Sequence, residues 1–115
     1  MQTLCRLDDI AVGSARGFQL AGRAIILSRP RPAVVRAYLN RCPHLGVPLN
    51  WQDDDFMDVE AVLLRCATHG ALFEPDTGLC VSGPCRGESL WSLDCVIVGD
   101  QIQLDANQLP PVADH

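Results

Sequence analysis

Two short stretches, Cys42-Pro43-His44 and Cys66-Ala67-Thr68-His69, decide how this sequence of 115 residues is interpreted. In each, a histidine follows a cysteine by two or three positions, and a glycine comes soon after. The only other histidine is the terminal His115. Two thiolates and two imidazoles can bind a [2Fe–2S] centre or a structural zinc ion. The ligand types alone therefore leave both kinds of metal centre open.

The residues after the second stretch separate the two kinds of centre. Residues 69–78 read HGALFEPDTG, and Gly83-Pro84 follows. This pattern resembles the Rieske family, whose ligand loops read C-x-H-x-G and C-x-x-H-G-x-x-F-x-x-x-T-G and precede a Gly-Pro loop. The resemblance covers about residues 40 to 104. A zinc module requires neither a Thr-Gly turn nor a Gly-Pro loop at these positions, so the pattern favours the iron–sulfur cluster.

The resemblance also implies a role for each ligand. Cys42 and Cys66 would bind one iron of a single [2Fe–2S] cluster, and His44 and His69 would bind the other. Neutral imidazole in place of thiolate lowers the negative charge of such a centre and raises its potential above that of all-cysteine ferredoxins. Glycines in the two loops and the Gly-Pro loop would permit close backbone approach and positive φ.

Two departures from the high-potential branch of that family predict a lower potential. That branch has an additional cysteine in each ligand loop, and the two are joined as a disulfide. Here those places hold residues 45–47 and Thr68. The branch also has a serine after the second His-Gly, where this sequence has Ala71. We therefore expect the low-potential, ferredoxin-like branch, near the lower end of the range of roughly −150 to +300 mV.

Composition predicts one folded domain over residues 1–115. Hydrophobic residues make up 48% of the sequence and charged residues 20%, and the formal net charge is −5. A chain of this length can bury a core without staples, and its acidity disfavours nucleic acid and anionic membranes as partners. No apolar run approaches the ~20 residues of a membrane span, and no signal peptide is apparent. The expected location is the cytoplasm.

Four cysteines lie outside the two stretches: Cys5, Cys80, Cys85 and Cys95. In a reducing cytoplasm we expect them to be reduced, partly buried side chains. Cys80 and Cys85 differ from the others because they flank Gly83-Pro84, the loop expected to cover the cluster. A redox-active pair is the alternative interpretation of these two residues.

Apolar and polar residues alternate with a period of two along most of the chain, which predicts short antiparallel strands and an all-β fold. With the family resemblance, this indicates an antiparallel β-sandwich with a small cluster-binding subdomain at about 40–85 and a loose tail at about 106–115. Leu7–Ile10 is expected to begin a short helical turn, and residues 30–32 to break the chain. The predicted strands are 18–20, 23–28, 33–38, 62–65, 72–73, 79–81, 93–98 and 101–104. The first two are expected to form a hairpin at Ala21-Gly22 and the last two a final hairpin at Gly99-Asp100. Residues 76–78 are the expected turn between 72–73 and 79–81.

An acidic segment separates the two ligand motifs. Five acids lie between Asp53 and Glu60, with Trp51, Phe56 and Met57 nearby. The plain interpretation is a solvated loop with an apolar anchor. The alternative is a docking surface for a basic redox partner, where complementary charge would accelerate the encounter.

The resemblance implies a one-electron carrier of the Rieske ferredoxin type, not an enzyme by itself. A flavin-dependent ferredoxin reductase would supply the electron, and a terminal oxygenase or a similar acceptor would receive it. An oxygenase catalytic subunit is not expected, since its mononuclear iron needs two further histidines and a carboxylate. Two other roles stay open: a small Rieske-like subunit of nitrite reductase, and a redox or iron sensor.

Overall fold

The computed structural model describes residues 2–41, 49, 56–57, 63–66, 70–83 and 85–109. These residues form ten strands and two short 3-10 turns, and all the strand pairs are antiparallel, so the all-β prediction is confirmed. The described part of the chain contains no helix long and apolar enough to cross a membrane. The strands are β1 (Gln2–Arg6), β2 (Ser14–Leu20), β3 (Arg23–Arg31), β4 (Val34–Leu39), β5 (Leu64–Arg65), β6 (Leu72–Phe73), β7 (Cys80–Ser82), β8 (Ser92–Leu93), β9 (Cys95–Val98) and β10 (Gln101–Leu104).

The largest sheet has the order β2-β3-β4-β8. Its β2–β3 hairpin turns at Ala21-Gly22, as predicted, with positive φ at both residues. The predicted break at residues 30–32 is wrong in its position, because β3 continues through Pro30 to Arg31. The β3–β4 register shifts between Ser28 and Arg31. Such an irregularity accommodates a residue that lacks the N–H for a regular ladder.

A second sheet has the order β1-β10-β9. The predicted final hairpin is present, but the predicted single strand over 93–98 is wrong. Leu93 belongs to β8 and pairs with β4, whereas Cys95 begins β9 and pairs with β10. The chain changes sheets at Asp94, whose N–H donates to Gln108 Oε1 at 2.6 Å. Strand β1 was not predicted, and it pairs with β10 from the other end of the chain.

These two sheets share one core, which makes the predicted sandwich. Its buried residues come from both sheets, for example Leu27 and Leu39 from the larger and Ile102 and Leu104 from the smaller. The 3-10 turn Leu7–Asp9 follows β1, as expected from the sequence, and Leu7 packs against this core. The core is continuous between the sheets, so the sandwich provides a rigid base for the remaining strands.

The third sheet, β5-β6-β7, forms a separate small layer. It has its own core, in which Leu64, Cys66, Phe73 and Cys80 are buried together. Tyr38 of β4 is buried in the same core, so this layer packs against the outer face of the sandwich. The predicted strands around residues 72–81 are confirmed as β6 and β7.

The tail predicted from about residue 106 is described up to Leu109. Ala106–Gln108 form a 3-10 turn, and Leu109 packs against the sandwich core. The side chain of Gln108 accepts from the Asp94 N–H and donates to the Asp94 carbonyl at 2.7 Å. The packed chain therefore extends to Leu109, and residues 110–115 lie outside the described residues.

Candidate metal centre

Cys66 is the one predicted ligand that lies within the described residues; Cys42, His44 and His69 fall outside them. It follows β5 directly and is 1% exposed. Its N–H donates to the carbonyl of Ala71 at 2.8 Å, and its carbonyl accepts from the N–H of Gly70 at 2.8 Å. These two bonds close the backbone between the end of β5 and the start of β6. The two ends of the second ligand motif are therefore held together, and its cysteine is fixed in the core.

The chemistry around Cys66 fits an iron–sulfur cluster. The residue is a thiol and takes part in no disulfide. It is buried with Leu64, Ala71 and Phe73, so water is kept from its sulfur. Low solvent exposure and a thiolate ligand are two features that set the potential of such a cluster.

The loop that follows β7, called the Gly83 loop, begins at Gly83 and continues to Glu88. Gly83 packs directly on the backbone of the second ligand loop. Gly83 has φ +102°, and a Cβ there would lie 2.8 Å from Cα of Ala71 and 3.4 Å from its nitrogen. Real Cβ atoms do not approach that closely, so only glycine permits this contact. Ala71 is itself fully buried. Gly83, which belongs to the Gly-Pro loop expected over the metal centre, thus lies against the residue that holds the Cys66 N–H.

The Thr-Gly part of the motif builds the turn between β6 and β7. The Thr77 hydroxyl donates to Glu74 Oε2 at 3.0 Å and accepts from the N–H of Leu79 at 3.2 Å. The next residue, Gly78, has φ +77°, and a Cβ on it would lie 2.8 Å from Cε1 of Tyr38. The threonine therefore closes the turn, and the glycine lets the Tyr38 ring pack against it.

The same turn is fastened to the sandwich by polar contacts. Tyr38 donates its hydroxyl to the carbonyl of Pro75 at 2.9 Å. Asp76 accepts from Arg31 Nη1 and from Arg36 Nε, each at 3.0 Å. The hydrogen bond from Arg31, aided by the charge of both arginines, lowers the pKa of Asp76. Burial raises the pKa of Tyr38, so its hydroxyl keeps its proton and acts as a donor.

The ends of the first ligand motif are also held, although residues 42–48 lie outside the described residues. The Asn40 side chain accepts a hydrogen bond from the N–H of Leu49 at 2.8 Å. Leu49 is fully buried in the core that contains Cys66. Asn40 directly follows β4, so the end of that strand fixes where the first motif begins and ends.

Several of these positioning residues were not predicted. The contacts of Tyr38 and Asp76 carry no motif, because their partners lie far along the chain: Tyr38 is 37 residues from Pro75, and Asp76 is 45 from Arg31 and 40 from Arg36. The Asn40 contact spans nine residues but ends at Leu49, which lies beyond the C-x-H-x-G pattern. A partial signal existed for Asp76, which precedes the Thr-Gly turn and can be recognised as a turn residue. No sequence pattern identifies its arginine partners.

Comparison with known proteins decides the family. The model of the Rieske [2Fe–2S] domain matches residues 1–104. This chain belongs to the Rieske [2Fe–2S] domain family. The cofactor of this Rieske domain is therefore a [2Fe–2S] cluster, and the zinc alternative that the ligand types left open is wrong. No curated protein sequence matches the chain.

Solved structures show the same fold. The ferredoxin of carbazole 1,9a-dioxygenase from Nocardioides aromaticivorans IC177 is 23% identical, with a TM-score of 0.71 over 90% of this chain and 94% of that one. A ferredoxin of Sphingomonas yanoikuyae B1 is 20% identical, with a TM-score of 0.69 over 90% and 96%. The terminal oxygenase of the Nocardioides system is 19% identical, with a TM-score of 0.75 over 97% of this chain but 31% of the oxygenase. At these identities the likeness establishes the Rieske fold.

Proposed function

We propose that this Rieske domain is a one-electron carrier in which Cys42, His44, Cys66 and His69 hold one [2Fe–2S] cluster. The observation that carries the proposal is the buried Cys66 loop, closed by Gly70 and Ala71 and covered by the Gly83 loop, in a chain that matches the Rieske family over residues 1–104. When bound, the cluster accepts and releases one electron. The protein supplies thiolate and imidazole ligands and a water-poor surrounding for Cys66.

The proposed acceptor is a terminal oxygenase, and the proposed donor is a flavin-dependent reductase. Two solved structures with this fold are ferredoxins, and one solved complex joins an oxygenase with the ferredoxin of carbazole 1,9a-dioxygenase. Within residues 1–115, His115 is the one histidine left for a mononuclear iron once His44 and His69 bind the cluster, so the proposal assigns electron transfer alone to this Rieske domain. We propose the cytoplasm as its location.

Metal analysis and spin resonance test the ligand set. Purified protein should contain two iron atoms and two labile sulfides per chain, the content of one [2Fe–2S] cluster. Cys66→Ser, His44→Ala and His69→Ala should each abolish the Rieske spin-resonance signal. Cys95→Ser is the matched control, since it removes a half-buried thiol outside both motifs. One zinc ion and no sulfide, or an unchanged signal in His44→Ala or His69→Ala, would contradict the proposal.

Reconstitution tests the carrier role separately. Terminal oxygenase, flavin reductase and this chain are combined, and product is measured with each component omitted in turn. Product should depend on this chain, disappear with Cys66→Ser and persist with Cys95→Ser. A cluster-loaded chain that is neither reduced by a flavin reductase nor oxidised by an oxygenase would instead favour the sensor role.

A further inference from the structure

Two cysteines outside the ligand set are in direct contact: Cys80 in β7 and Cys85 in the loop that follows it. Cys85 Sγ is 3.0 Å from Cys80 Sγ, and both residues are 1% exposed. The Cys80 thiol also lies 3.2 Å from the carbonyl of Ser82. In a disulfide the sulfurs are about 2.05 Å apart, so a movement of about 1 Å would join these two.

The backbone brings the two sulfurs together by a compact double turn. Gly83 accepts from the N–H of Arg86 at 3.2 Å, and Cys85 accepts from the N–H of Glu88 at 2.9 Å. The chain then returns to the strand, because the N–H of Gly87 donates to the carbonyl of Cys80 at 3.1 Å. Cys80 and Cys85 are therefore the two ends of a loop that folds back on itself.

This loop is mechanically connected to the ligand loop. Cys80, Cys85, Ala71 and Cys66 are buried in one core. Gly83 lies between the two cysteines in sequence and contacts the backbone of Ala71. A bond across the ends of the loop would hold Gly83 against Ala71 and so restrain the residue that binds the Cys66 N–H.

The other two cysteines outside the ligand motifs lack this geometry. Cys5 lies on β1 and Cys95 on β9, with β10 between them. Neighbouring strands are about 4.8 Å apart, so these residues are on the order of 10 Å apart, beyond the reach of about 7 Å between Cα atoms that a disulfide allows.

We propose that Cys80 and Cys85 are a thiol–disulfide pair whose oxidation fastens the Gly83 loop onto the second ligand loop. The oxidant is a low-molecular-weight disulfide such as glutathione disulfide. When the turn that holds Cys85 opens and exposes the pair, one cysteine thiolate attacks this disulfide, which releases one glutathione thiolate and leaves a mixed disulfide. The second cysteine thiolate displaces the other glutathione and forms the Cys80–Cys85 bond. Two electrons pass from the pair to glutathione disulfide, and the two thiol protons leave with the two glutathiones.

Peptide mapping of the cluster-loaded protein tests the pairing. The protein is incubated without oxygen in buffers of increasing glutathione disulfide, acidified, alkylated in denaturant and digested with trypsin. The peptide from Cys66 to Arg86 contains three cysteines. After oxidation this peptide should carry one alkyl group, on Cys66. Its mass should be two hydrogens below that of the same peptide with two free thiols, and fragmentation should locate the bond between Cys80 and Cys85. Reductant should restore three alkylated cysteines.

Two variants and one rate measurement complete the test. Cys85→Ser should lose the internal bond, whereas Cys95→Ser should keep it. Bleaching of the visible absorbance in denaturant should be several-fold slower for oxidised than for reduced wild-type protein. Cys80 and Cys85 recovered fully alkylated, or as separate glutathione adducts, would overturn the pairing, and equal bleaching rates would overturn the fastening. The mapping uses wild-type protein and does not depend on electron transfer, so it distinguishes failure of this proposal from failure of the carrier role.

Discussion

Gly83→Ala and Gly87→Ala are a matched pair that tests whether the Gly83 loop packs on the ligand loop. Both glycines lie in the same double turn and have similar backbone angles, φ +102° and φ +92°. They differ in what a new methyl group would meet. At Gly83 it would lie 2.8 Å from Cα of Ala71, whereas at Gly87 nothing lies within 4 Å.

The magnitude follows from this difference. A non-glycine residue in such a backbone conformation costs about 1–3 kcal/mol, and both variants have this cost. Gly83→Ala also forces a methyl group into packed backbone, for which overpacking adds about 1–3 kcal/mol. A free-energy difference of 1.4 kcal/mol changes a rate about tenfold. If the overpacking is relieved when the loop opens, Gly83→Ala should therefore lose the cluster about 5- to 150-fold faster than Gly87→Ala.

The assay is the bleaching rate of the visible absorbance at fixed urea, with wild-type protein alongside. A rate is appropriate because a tightly bound cofactor prevents simple two-state analysis. Far-UV circular dichroism of each variant before urea is added checks that the fold is retained. If both variants lose the cluster at the same rate, then the contact of Gly83 with Ala71 does not help to retain the cluster.

Three further predictions concern the surroundings of the site. Ala71→Ser should raise the midpoint potential, since hydrogen bonds to cluster sulfurs tune it; a spin-resonance redox titration showing an equal or lower value would refute this. Asp76→Asn should speed loss of the cluster in urea by at most about fivefold, the equivalent of about 1 kcal/mol, because its contacts with Arg31 and Arg36 are partly exposed. The pKa of Asp76 is lowered in the folded protein. The stability that its carboxylate contributes is therefore present above the ordinary carboxyl pKa of about 3.9, and it is lost as the pH falls through the lower pKa of the folded protein. An Asp76→Asn variant that loses stability below about pH 4 as steeply as wild type would contradict this. Neutralising residues 53–55, which lie outside the described residues, to asparagine should slow reduction by a cognate reductase and flatten its salt dependence; stopped-flow traces with an unchanged rate and salt slope would return this segment to a solvated loop.

The elements that could be predicted from the sequence are those with local causes. The hairpin at Ala21-Gly22 follows from a turn signal between two alternating runs, and the turn before Gly78 follows from its Asp-Thr-Gly composition. The helical turn at Leu7–Asp9 was expected for a similar reason. The acidic segment was expected to have an apolar anchor. Phe56 of that anchor is fully buried, and Met57 packs against the same core. In each case the information lies within a few residues of the element.

The features that were missed depend on partners far along the chain. Strand β1 reads QTLCR, which has no clean alternation, and it pairs with β10 about 100 residues later. The break at Asp94 exists because Leu93 and Cys95 find partners in different sheets. For the site, the motif predicted the ligand types, but the contacts of Tyr38 and Asp76 required the folded chain. Long-range pairing is the part of the fold that a local pattern does not determine.

Strand β4 connects these long-range contacts, and its period of two explains how. Successive side chains on a strand point to opposite faces. Val35, Ala37 and Leu39 are buried in the sandwich core, whereas the intervening residues 36, 38 and 40 make the contacts to the small layer. Two of them hold the turn that follows the second ligand loop, and the third holds the end of the first.

One face of a rigid strand is thus the common reference for both ligand motifs. This face holds Leu49, after the first motif, and the turn at residues 75–76, after the second. Sites supported by regular elements keep their geometry better than sites built on loops alone. This arrangement explains how the two motifs can serve one proposed cluster although 23 residues separate Cys42 from Cys66.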